Sequence, residues 1–86
     1  MLRFEPDAVQ WHLVDGEVIG LDVTRSEYFS VNNSGATLWS RLAEGTTEQC
    51  LVDELRREYG LSDDAARADV AAFLYELRNR RLLVGG

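Results

Sequence analysis

The apolar residues of this chain change their spacing once, near Asn33, and that change limits the folds open to it. Before it, apolar positions alternate with polar ones: Val9, Trp11 and Leu13, then Ile19, Leu21 and Val23, then Phe29 and Val31. This is the period of half-buried antiparallel strands, whose side chains point to the two faces in turn. After it, apolar residues recur at three- and four-residue steps, as on one face of a helix. Leu38, Trp39 and Leu42 form a first set, Leu51, Val52, Leu55 and Tyr59 a second, and Ala66, Val70, Phe73, Leu74 and Leu77 a third. The expected order is a three-stranded antiparallel sheet followed by three helices, an α+β fold. Three strands bury little by themselves, so the helices must cover their apolar face.

Asp15-Gly16 is a hairpin signal. A two-residue loop there would pair Leu13 with Val18 and Trp11 with Gly20, against the wrong face of the second strand. An odd loop or a bulge aligns the apolar sets, with Gly16 at positive φ. The same parity calls for an odd loop around Thr24-Arg25-Ser26. Asn33 or Ser34 caps the first helix and Gly45 ends it. Thr46 and Gln49 have capping-box spacing before the second helix, which Gly60 ends. Ser62 caps the third, with Asp63 and Asp64 at its positive end and Arg78, Arg80 and Arg81 at the other. The short glycine turn between the last two helices reads as helix-turn-helix, so the whole is winged helix-turn-helix-like. "LLVGG" is an apolar tail able to dock. No linker, repeat or low-complexity segment interrupts the chain, and residues 1–86 are expected to be one domain.

Eighty-six residues suffice for a small core, and the 45% apolar and 28% charged fractions suit a soluble globular protein. No apolar run approaches the roughly 20 residues of a membrane span. The start, "MLRFEPDAVQ", lacks a basic segment followed by an apolar one, and one cysteine cannot build a disulfide framework. A cytoplasmic location with no membrane partner is expected. The net charge is −6, with nine arginines and no lysine. Acidity argues against nonspecific nucleic-acid binding, and the missing lysine removes Schiff-base and P-loop chemistry.

Catalysis has few candidates. Cys50 and His12 are the only thiol and imidazole. In this pattern Cys50 reads as a small buried helix residue and His12 as an exposed strand residue, not as a nucleophile and its base. A lone His and Cys lack metal-site spacing, and no cofactor motif is present. As a DNA reader, the third helix would present "SDDAARAD" to the groove, with Asp63, Asp64 and Asp69 against Arg67. Those carboxylates would face phosphates. What remains is the free side of the third strand, "EYFSVN", which holds no proline or lysine to block pairing. Two readings stand level. Either Phe29 and Val31 are core and the tail covers this edge, or a guest peptide adds there as a further strand.

The stretch from Leu21 to Val84 resembles the PqqD-like peptide-recognition domain, the RiPP recognition element, in its stand-alone form from lasso-peptide biosynthesis. The matching residues are Leu21-Asp22, Tyr28-Phe29, Val31-Asn32, Gly35, Trp39, Gly45-Thr46, Tyr59-Gly60, Asp69-Val70, Phe73-Leu74, Leu77 and Leu82-Leu83. Arg81 departs from the pattern, standing where the family often has glycine. The resemblance implies a domain without enzymatic activity or cofactor that binds the leader segment of a ribosomally made precursor peptide. The leader adds beside the third strand and lies against the third helix. A separate cysteine protease then removes it, and a cyclase closes the core peptide. By matched position the edge is Glu27, Tyr28, Phe29, Ser30, Val31 and Asn32. Across the cleft stand Asp69, Val70, Phe73, Glu76, Leu77 and Arg80. Two other readings share the pattern: a PqqD-like carrier for a radical peptide-modifying enzyme, and a winged-helix DNA-binding regulator.

Overall fold

Three meander strands precede three helices, as the change of spacing predicts, and a short strand is added at each end. The computed structural model describes residues 1–5 and 7–85. In chain order the elements are β1 (Arg3–Phe4), β2 (Val9–Val14), β3 (Glu17–Asp22), β4 (Glu27–Val31), α1 (Ser34–Glu44), α2 (Glu48–Tyr59), α3 (Asp63–Asn79) and β5 (Leu83–Val84). One sheet has the order β2-β3-β4, antiparallel throughout, and β1 pairs with β5 in a second.

The register overturns the parity expected from the sequence. Only Asp15 and Gly16 join β2 to β3, at φ +51° and +77°, so Val14 pairs with Glu17, Leu13 with Val18 and Trp11 with Gly20. Two successive positive φ values match the twist of a tight hairpin. The next loop is also even, residues 23–26 between paired Asp22 and Glu27. The helix-facing side of β3 is therefore Val18, Gly20 and Asp22, all buried, whereas Ile19 and Val23 are exposed and Leu21 is half-buried. Leu13, expected in the core, is 55% exposed at the hairpin end. The physical reason is Gly20. The Phe29 ring lies over it, so a Cβ at position 20 would meet ring carbon Cε2 at 2.8 Å. Trp11 and Phe29, its cross-strand partners, supply the bulk that the middle strand lacks. Buried Asp22 closes the following loop, its Oδ1 accepting the Arg25 N–H at 3.1 Å.

The core centres on Trp39, which is fully buried. Phe4, Phe29 and Trp11 pack on it with ring centroids 4.4, 5.3 and 6.1 Å away. Such tilted and edge-on pairs suit aromatic quadrupoles. Leu51, Val52 and Leu55 of α2 and Ala66, Val70, Leu74 and Leu77 of α3 complete it. Glu54, also buried, accepts from Arg41 Nε and Nη2 at 3.2 and 2.9 Å and pairs with Arg57.

Helix ends follow the sequence signals with two departures, the first being that Asn33 stands at the N-cap of α1 without a side-chain cap bond. Gly45 and Gly60 end α1 and α2, and Ser62 Oγ accepts the Ala65 N–H at 3.2 Å. Thr47, not Thr46, caps α2, its Oγ1 accepting the Cys50 N–H at 3.2 Å. Thr46 is taken by a bridge to Leu2, donating its N–H to the Leu2 carbonyl at 2.9 Å. Cys50 is exposed on the first turn of α2, not buried as expected. The apolar tail docks on the N-terminal strand, Leu83 opposite Phe4 and Val84 opposite Arg3. Gly86, the last residue of that tail, lies outside the described residues.

Candidate functional site

Once the tail has gone to β1, β4 is left as an edge of its sheet. Which of its amides face outward follows from the hairpin. A two-residue loop closes on a hydrogen-bonded pair, here Val14 with Glu17, and such pairs recur at every second residue. Residues 17, 19 and 21 thus turn their backbone groups to β2, and residues 18, 20 and 22 turn theirs to β4. The Val23 N–H, bonded to the Ala8 carbonyl at 3.0 Å, continues the same alternation. On β4, Glu27, Phe29 and Val31 therefore bond to β3, and Tyr28 and Ser30 present N–H and C=O groups to the open side. At the far end Asn33 takes φ +53° and turns the chain into α1, away from the edge.

Side chains of β4 divide the other way. Tyr28, 79% exposed, and Ser30 lie on the outer face of the sheet. Phe29 and Val31 turn toward the helices and are half-buried. Val31 lies against the backbone of Gly35, so closely that a Cβ there would overlap its Cγ1, and the Phe73 ring is 3.6 Å from the same point. Gly35 is the small residue that lets β4, the first turn of α1 and the middle of α3 converge. At the other end the Arg80 guanidinium stands over the Phe29 ring, 5.9 Å from its centroid.

Between α1 and α3 the surface opens into a cleft of about 360 Å³. Gly35, Leu38, Ala72 and Phe73 supply its apolar lining, and Asp69 and Glu76 its rim. Both carboxylates are exposed, and neither makes an ion pair or side-chain hydrogen bond among the described residues. The nearby Arg67 does: its Nε donates to Asp63 Oδ2 at 2.7 Å and its Nη2 to Gln49 at 2.9 Å. That hydrogen bond and the charge of Asp63 raise the Arg67 pKa. The one cation in the first half of α3 is thus already engaged.

Residues 17–83 match the family model described as coenzyme PQQ synthesis protein D (PqqD). The chain belongs to the PqqD family. Among solved structures it is similar to TbiB1 in complex with the TbiA(beta) leader peptide, with 32% identity and a TM-score of 0.88 over 98% of this chain and 96% of that one. It also shares the fold of lasso peptide synthetase B1 complexed with the leader peptide, at 24% identity and a TM-score of 0.82 over 98% of each chain. No match was found among curated proteins. The family read from the residues is thus the family shown.

In this PqqD-family chain the expected site residues do not all share one environment. Glu27, Tyr28, Ser30 and Asn32 are exposed along the edge, Phe29 and Val31 line its inner side, and Phe73, Asp69, Glu76 and Arg80 face the cleft or its ends. Val70 is fully buried and Leu77 is 5% exposed; they support α3 from beneath. Gly35 and Leu38 entered the sequence reading only as a matching position and a helix core residue, and Ala72 not at all; none of the three was expected to line the site. The thiol and imidazole are not brought together. His12 is exposed on β2, and Cys50 belongs to a separate groove with Arg41, Glu44 and Arg57. Hydrogen bonding by the Thr47 side chain lowers the Cys50 pKa, with desolvation acting the other way. Among the described residues no group of His, Cys, Asp and Glu could hold a metal, and no helix is long and apolar enough to cross a membrane.

Proposed function

We propose that this chain is a leader-peptide binding module of lasso-peptide biosynthesis, without chemistry of its own. The leader of a ribosomally made precursor adds as a strand to β4, and alternate side chains enter the cleft beside α3. The module then delivers the precursor to a separate cysteine protease that removes the leader, and to the cyclase. The observation that carries this reading is the open backbone of Tyr28 and Ser30 beside an apolar cleft with an acidic rim. The likeness to TbiB1, itself in complex with a leader peptide, supports it. The test is amide exchange with the TbiA(beta) leader peptide as the probe. Protection is expected at Tyr28 and Ser30. Protection confined to α2, or none at all, refutes strand addition at β4. Leader cleavage by the pure protein refutes the non-catalytic role.

A further inference from the structure

We infer that the cleft beside β4 seats an arginine side chain of the incoming peptide. The inference rests on strand addition at β4 and concerns what the added strand must carry. Asp69, Phe73 and Glu76 are spaced by four and three residues, so they lie along one side of α3. The two carboxylates are about 10 Å apart along the helix axis, with the aromatic ring between them. Neither carboxylate has a partner among the described residues, whereas five other acidic–basic contacts nearby or on neighbouring helices are satisfied. The ring is half-buried, so part of it remains open to the cleft.

This combination fits one class of side chain. An aliphatic stem can lie on Gly35, Ala72 and Phe73 while a charged head stays at the wet rim. A neutral apolar residue would use the lining and leave the carboxylates unanswered, and an acidic one would meet repulsion. Arginine suits the rim better than lysine. Its planar group can stack on Phe73 and still direct N–H donors to a carboxylate, whereas an ammonium is a compact hydrated charge. The opposite end of the groove excludes the same residue, because Arg80 already stands over Phe29 there. The seat therefore lies toward the Val31 end of β4, away from Arg80.

The probe is the TbiA(beta) leader peptide, scanned so that each position in turn is Arg, norleucine or Glu. Affinity is read by fluorescence polarisation and strand addition by amide exchange at Tyr28 and Ser30. At one position Arg should bind about tenfold tighter than norleucine, and Glu weaker than both. The preference should shrink as salt rises and disappear in Asp69→Asn/Glu76→Gln, a pair of exposed substitutions whose folding circular dichroism would verify. Norleucine equal to Arg at every position, with Tyr28 and Ser30 still protected, overturns the arginine seat and leaves strand addition standing. An Arg preference that survives the double substitution overturns it too. Loss of protection across the whole panel overturns strand addition, and the seat with it.

Discussion

Replacing Ser30 by proline separates the fold of β4 from its use. The Ser30 N–H points to the open side, so proline removes no bond to β3, and edge positions of this kind tolerate proline. Its side chain is exposed on the outer face, so no packing is lost. The cost to stability should be within about 1 kcal/mol, a fall of roughly 4–8 °C at most in the melting temperature of a domain this size. Binding should lose more. One backbone hydrogen bond is worth about 1 kcal/mol net, and the peptide carbonyl left unpaired adds about 1–3 kcal/mol if it is buried. A loss of tenfold or more in leader affinity is therefore expected. Ser30→Ala, which keeps the N–H, should bind as the unaltered protein does. Phe29→Pro removes a bond to Gly20 and the contact with Trp39, and should unfold the domain. Titration calorimetry gives the affinities and thermal melting the stabilities. If Ser30→Pro binds the leader with unchanged affinity, or melts like Phe29→Pro, the assigned alternation of β4 is wrong.

Three further outcomes are expected. Gly20→Ala places a Cβ against the Phe29 ring and should cost about 1–3 kcal/mol by overpacking, visible in urea unfolding. Arg81→Gly relieves a non-glycine residue at φ +58° and should raise stability by about 1 kcal/mol, read as an upward shift in melting temperature. Thr47→Ala loses the cap of α2, about 1 kcal/mol, and frees the Cys50 thiol from the bond that lowers its pKa. Because that bond favours the thiolate, its removal raises the pKa, and the alkylation rate of Cys50 should turn on at higher pH than in the unaltered protein.

The fold was legible because two periods, two and then three-to-four, are set by backbone geometry and survive any detail of packing. The register was not. Alternation scores each residue by its own hydrophobicity, and Ile19 and Leu21 outscore Gly20. The strand's orientation is instead decided by neighbours two strands wide, since Trp11 and Phe29 need the space that Gly20 leaves. The one-residue slip at the α2 cap has a similar origin. Thr46 and Thr47 are equivalent as local caps, and a long-range bridge to Leu2 removes one of them from the choice. The edge strand of the candidate site was legible, because its residues are contiguous in the chain. The floor of that site was not, because Gly35, Leu38 and Ala72 come from two helices and are small or apolar, with nothing in their chemistry to mark them.

Unpaired backbone alone does not explain why β4 would be the receiving edge, since β2 is also at the margin of the three-stranded sheet. By the same alternation β2 turns Val9, Trp11 and Leu13 outward, a strand of six residues against five. What distinguishes β4 is its neighbour. A strand added there places every second side chain beside α3, where Phe73 and the Asp69 and Glu76 rim await it. Edge pairing is nearly indifferent to sequence, because every residue but proline offers the same N–H and C=O. On the proposed reading the cleft would convert that indifference into selection, by admitting strands whose side chains fit and leaving others with buried groups unpaired. Glu27 at the entrance and the turn at Asn33 confine the pairing to a few residues, which also limits sheet growth between copies of the chain. On this argument, filling the cleft should weaken leader binding without touching β4. Ala72→Trp, at an exposed helix position, is the direct case. If Ala72→Trp binds the leader unchanged while protection appears at Val9, Trp11 and Leu13, then the peptide adds to β2 and the cleft has no part in choosing it.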